Sequence, residues 1–177
     1  LGIARRGSVW VQRAEEEEGF AGLWGLSHPA KLSIYNTAFL DLIIGLSHAA
    51  AVTDSIPLGT SVLLLLLRQT ADVASYAPTL QHLAGRRVTP GVGAGNNAKE
   101  FDVSNFSMRE RGPRLTEGTD ALRELFEEEA SFSGRFHDFE DVRIDPQWTI
   151  HRGSFQAGLL TSKTVRGTSG RLFWTAS

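Results

Sequence analysis

The chain contains no cysteine in its 177 residues. Disulfides and thiolate metal sites are therefore excluded, and the absence fits a cytoplasmic protein. It also lacks a dominant charge: the formal net charge is −2. That gives no general attraction to nucleic acid or to an acidic membrane, so neither is expected as a partner. Long hydrophobic runs are missing too. The longest, Ser61 to Leu67, is far too short to span a bilayer. The start, Leu1-Gly2-Ile3-Ala4-Arg5-Arg6, carries no apolar h-region, and no internal repeat is present. What remains is ordinary for a globular protein, with 41% hydrophobic and 21% charged residues. The length suggests one domain over 1–177 with a substantial core.

The most organised stretch is Ala121-Leu122-Arg123-Glu124-Leu125-Phe126-Glu127-Glu128-Glu129-Ala130. It holds no helix breaker. At about 100° per residue, Glu124, Glu127 and Glu128 share one face of a helix, while Ala121, Leu122, Leu125 and Phe126 fall opposite. Thr119 or Asp120 can cap its start. Three like charges at neighbouring positions repel unless a hard divalent cation takes their oxygens, or unless the face is simply solvated.

Arg123-Glu124-Leu125-Phe126-Glu127-Glu128 reads R-E-L-x-E-E and resembles the second half of the Nudix box. Ser61 to Arg68 looks like that family's buried strand ending in Arg. Thr89-Pro90-Gly91-Val92-Gly93 is similar to its proline-glycine turn. The likeness runs from Leu46 to Thr161. It implies an α/β (α+β) fold, a Nudix-like α/β/α sandwich with a mixed sheet, in which 1–41 is a lead-in and 94–118 an insertion.

The resemblance further implies a hydrolase that cleaves a nucleoside-diphosphate-type phosphoanhydride with Mg²⁺ or Mn²⁺. Glu124, Glu127 and Glu128 would hold the metal. Glu124 and Arg123 would be catalytic, with Arg123 orienting a glutamate, and Arg68 and Gly91 would bind a nucleotide-like small molecule. A homodimer is left open. The box departs from the family pattern: Arg109 and Leu115 stand where Gly and Glu are expected, and Ala130 where Gly follows the glutamates. Gly112 and Glu117 could take the first two places in a shorter loop. Two alternatives follow: an inactive Nudix-fold protein that binds a nucleotide or a partner, and an unrelated α+β interaction subunit.

Elsewhere the pattern predicts strands at 8–12, 61–67, 79–83, 101–108, 132–145, 147–151, 154–160 and 171–174, and a loop at 69–77. Leu32, Tyr35, Phe39, Leu42 and Leu46 recur at a helical period. The family comparison asks instead for a strand near Ile43 to Val52, so a helix or extended lead-in before Leu42 and a strand after it are expected. Ala14 to Glu18 reads as a solvated acidic run, and Ser27-His28-Pro29 as a break. His82 reads as a structural histidine. Gly85 to Gly95 holds four glycines. A dinucleotide loop would need a strand before it and a helix after it. Pro90 ahead of the glycines and Asn96-Asn97 behind them favour a turn that brings the backbone close to a metal or phosphate. His137, Asp138, Glu140 and Asp141 form a second candidate metal cluster.

Overall fold

The computed structural model describes residues 21–28, 40–85, 87–149 and the backbone of 156–158. The strands expected at 8–12 and 171–174, the acidic run at 14–18 and the helical pattern before Leu40 lie outside the described residues.

Two short parallel ladders make up the sheet. In one, β1 (Leu23–Gly25) pairs with β2 (Leu58–Thr60), which pairs with β4 (Val88–Thr89). In the other, β3 (Leu63–Leu64) pairs with β5 (Gly91–Gly93), and β5 with β8 (Gln156–Gly158). Because β3 directly follows β2, and β5 directly follows β4, the ladders are the amino and carboxyl halves of one parallel sheet. Leu58 pairs with Val88, whereas Leu63 pairs with Val92, so the first strand holds one extra residue at the break. The Ser61–Val62 peptide there is cis.

Pro90 has no N–H and sits at the same level, where a ladder bond would otherwise be needed. The Thr60 hydroxyl bridges the gap, accepting from Gly91 N at 2.7 Å and donating to Gly91 O at 2.6 Å. A Cβ on Gly91 would lie 2.6 Å from Thr60 O. Glycine is required there by this close approach of two backbones.

Three longer helices cover the sheet. α1 (Leu42–Val52) starts where Asp41 accepts from Ile43 N and Ile44 N. It buries Leu42, Leu46, Ala49 and Ala50 and exposes Ile44. α2 (Thr70–Leu83) buries Thr70, Val73, Ala74, Ala77, Leu80 and Gln81, a helical stripe. A short α3 (Ala98–Ser104) and a 3₁₀ turn (Met108–Glu110) lead into α4 (Arg111–Glu124). Leu58, Leu63, Val88 and Val92 meet the apolar faces of α1 and α2 in one core that also takes Phe101, Leu115 and Leu122. An antiparallel hairpin, β6 (Ala130–Ser133) and β7 (Asp138–Val142), follows α4. Among the described residues no helix is long and apolar enough to cross a membrane.

This architecture corrects several expectations. The sheet proper is parallel with helices between its strands, not the mixed sheet of a Nudix sandwich. Residues 43–52 are helix. Residues 61–67 form a two-residue strand and then a 3₁₀ turn at Leu65–Leu67. The loop and strand expected over 69–83 are the single helix α2, whose pattern is interrupted in sequence by Pro78. Residues 101–108 are helical rather than extended, and 94–118 contains α3 and the front of α4. The hairpin matches the strand signal at 132–145.

Candidate active site

Parallel strands put all their carboxyl ends on one edge, and that edge is where α/β folds place ligands. Three segments leave it. From β1 the chain runs through Ser27, which is buried, to His28. From β3 it runs through the 3₁₀ turn and Arg68 to Thr70. From β5 it runs through Ala94-Gly95-Asn96-Asn97 to α3, which Asn97 caps by accepting from Lys99 N.

These segments are tied together. His28 Nδ1 lies 3.1 Å from Glu100 Oε1, and the Glu100 side chain is 1% exposed. A carboxylate so enclosed requires a partner that supplies a proton or a charge, and the imidazole does so. Gly95 has φ +77, a conformation natural to glycine. A Cβ there would stand 3.5 Å from both Leu64 and Phe101, so the β3 and β5 exits are neighbours. Among the described residues the backbone N–H groups of Gly95 and Asn96 have no hydrogen-bond acceptor. A glycine and amide donors without acceptors in a loop at a sheet edge fit an anionic group such as a phosphate.

The residues singled out in the sequence lie elsewhere or do other work. α4 ends at Glu124, and Glu127 and Glu128 fall in the turns after it. The helical spacing that would have aligned the three glutamates is therefore lost, and all three are exposed. Glu128 lies 3.6 Å from Arg143, and Arg123 donates to Asp120 at 2.9 Å, both at the surface. Among the described residues no group of three His, Asp or Glu side chains could hold a metal ion. Asp138, Glu140 and Asp141 are exposed on the hairpin. Arg68 pairs with Asp41, the residue that caps α1. Burial pushes the Asp41 carboxyl up, but Arg68 and the N–H groups of Ile44 and Ile43 outweigh it and hold the group below its ordinary value. Gly91 is buried against Thr60, and His82 is an exposed residue in the last turn of α2.

The model of the family described as luciferase-like monooxygenase matches residues 6–156. The chain belongs to the luciferase-like monooxygenase family. The F420-dependent glucose-6-phosphate dehydrogenase of Kineococcus radiotolerans is 31% identical over 133 residues, covering 73% of this chain and 40% of that protein. The crystal structure of the monooxygenase RslO1 from Streptomyces bottropensis superposes with a TM-score of 0.76 at 27% identity, over 86% of this chain and 46% of that one. A type II Baeyer–Villiger monooxygenase from Pseudomonas putida, solved in complex with FMN, shares the fold at TM-score 0.69 and 13% identity, over 78% and 38% of the two chains. The chain spans 30–40% of the length of the curated relatives it matches.

Membership in the luciferase-like family overturns the Nudix assignment, the diphosphate hydrolase activity and the Mg²⁺ or Mn²⁺ requirement. The fold is the α/β fold of this TIM-barrel family; F420 is named for the Kineococcus relative and FMN for the Pseudomonas structure that shares the fold. R-E-L-x-E-E is here the end of a helix and the turn behind it.

His28 and Glu100 were not singled out as site residues by sequence reasoning, whereas Gly95 and Asn96 fall in the glycine-rich stretch expected to bring the backbone close to a metal or phosphate. Glycines after a strand and before a helix form the pattern of a phosphate turn, and β5 and α3 supply both flanks.

Proposed function

We propose that this chain contributes the cofactor-binding edge of a flavin- or deazaflavin-dependent oxidoreductase. The observation that carries the reading is the Gly95-Asn96 loop, whose N–H groups have no acceptor among the described residues, beside a histidine–carboxylate pair whose carboxylate is buried, at the carboxyl end of a parallel sheet. The relatives named for F420 and FMN support the choice of cofactor.

The fit is one of donor chemistry. The N–H groups of Gly95 and Asn96 would hold the phosphate of FMN or F420, and Leu64 would give the ring an apolar wall. When bound, such a cofactor supplies hydride transfer. His28, oriented by Glu100, holds a proton at the same edge. Nδ1 is protonated towards the carboxylate, which can only accept while ionised. Arg68 and Asp41, at the β3 exit, close the wall by their ion pair.

The test is titration of the protein with FMN and with F420, followed by quenching of cofactor fluorescence. A saturable change with at least one of them is expected. Asn96→Asp, which sets a carboxylate beside the phosphate, should weaken binding by about tenfold, roughly 1.4 kcal/mol of repulsion between charges near a surface. No saturation with either cofactor up to about 1 mM, a free energy of only ~4 kcal/mol, refutes the reading.

A further inference from the structure

Glu117, His137 and Thr70 are brought together from three elements, although they lie far apart in the chain. Glu117 projects from α4 into the turn that joins β6 and β7. Its Oε1 accepts from Phe136 N at 2.6 Å and His137 N at 2.9 Å, and its Oε2 accepts from Arg135 N at 3.0 Å. Gly134 N donates to His137 O at 2.8 Å and closes the turn around the carboxylate. The approach is so close that a Cβ on Gly134 would stand 2.6 Å from Glu117 Oε1. Arg114 of α4 lies over the Phe136 ring at 4.1 Å, and Glu110 takes Arg135 at 2.7 Å. Hairpin and helix thus form one body.

That body reaches the carboxyl edge of the sheet through an imidazole. His137 Nδ1 lies 3.3 Å from Glu117 Oε1, and Nε2 lies 2.8 Å from Thr70 Oγ1. An ionised carboxylate has no proton to give, so Nδ1 carries the hydrogen, and in the neutral ring Nε2 accepts from the Thr70 hydroxyl. Thr70 is buried and is the first residue of α2, directly after the 65–69 segment that leaves β3.

We infer that Glu117 and His137 are positioning residues for the cofactor edge. They hold Thr70, and Thr70 fixes the 65–70 segment that leaves β3 beside Gly95. The inference rests on the proposed function for what that edge binds, but the tie itself can be measured without any cofactor.

The experiment compares Thr70→Val, His137→Phe and the double variant with wild type. Backbone amide exchange is read over 65–72, with α1 as the internal control, and FMN and F420 affinities are measured on the same samples. Losing this half-buried hydrogen bond to the ring should speed exchange in 65–72 by about tenfold, with α1 unchanged. The double variant should show no more than either single change, because both remove the same bond. Cofactor affinity should fall by a similar factor in all three. Thr70→Val keeps the side-chain shape and decides the matter if His137→Phe does not fold. Unchanged exchange over 65–72 in Thr70→Val overturns the tie. Altered exchange with unaltered cofactor affinity overturns the positioning role. If wild type binds neither cofactor, altered exchange still supports the tie, and it is the functional reading that fails.

Discussion

Arg87 offers the sharpest test of what holds the amino edge of the sheet. It precedes β4, and its half-buried guanidinium gathers three segments. Nε donates to Ala84 O at 2.8 Å, at the end of α2. Nη1 donates to Ile56 O at 2.5 Å, on the approach to β2, and makes a longer contact of 3.4 Å with Thr53 Oγ1. Nη2 donates to Thr53 O at 3.1 Å, at the end of α1. The planar fork of arginine suits this set, and a lysine ammonium can replace only one arm. A bond from a charged donor contributes about 1.5–3 kcal/mol, but part of this group meets water, and the freed carbonyls recover some hydration. Three good bonds then give a loss of about 3–5 kcal/mol for Arg87→Ala, with Arg87→Lys recovering about 1 kcal/mol. Against a total of ~5–15 kcal/mol, the alanine variant should be visibly weakened. Urea unfolding followed by circular dichroism reads it as a lower midpoint with an unchanged slope. A loss below about 1 kcal/mol in Arg87→Ala refutes the account, since that is the size of one ordinary bond.

Two glycines predict opposite outcomes. Gly134→Ala pushes a methyl against the Glu117 carboxylate and should cost about 1–3 kcal/mol, seen in thermal unfolding. Gly118→Ala, in α4, meets nothing closer than 3.5 Å and should raise stability by up to about 1 kcal/mol through helix propensity. Glu117 also sets a pH dependence. Burial raises its carboxyl, but the N–H groups of Phe136 and Arg135, the His137 side chain and the His137 N–H outweigh it and hold it below its ordinary value. A depressed folded value means its stabilisation is complete above the unfolded carboxylate range and disappears as pH falls through the folded one. Urea midpoints from neutral to acid pH should therefore fall more steeply in wild type than in Glu117→Gln, and parallel curves would remove Glu117 from the account.

The sequence made the α4 stretch conspicuous because its charges and apolar residues separate cleanly. That periodicity does place Leu122 inside and Glu124 outside. It does not show where the helix stops. Leu125 and Phe126 are buried just after α4 ends, so packing in the core keeps the apolar pattern going beyond the backbone geometry that produced it. The strand signal at Ser61 to Leu67 was real for Leu63 and Leu64, but uninterrupted leucines conceal both the extra residue at the break and the 3₁₀ turn. α2 was hidden by Pro78, which reads as an interruption although the helix accommodates it. The candidate site was the least legible part. His28 and Glu100 are 72 residues apart, and no local period links them. The glycine turn was visible as composition, but its meaning depends on the strand and helix at its flanks.

Thr60 also divides the sheet into two storeys. Below its hydroxyl the paired strands share one phase of inward and outward side chains; above it the phase is reset by the inserted residue. A slip in pairing among the lower strands consequently stops at this stitch and does not carry the upper loops out of alignment. The carboxyl rim can accept changes in its own residues while the foundation beneath keeps its alignment.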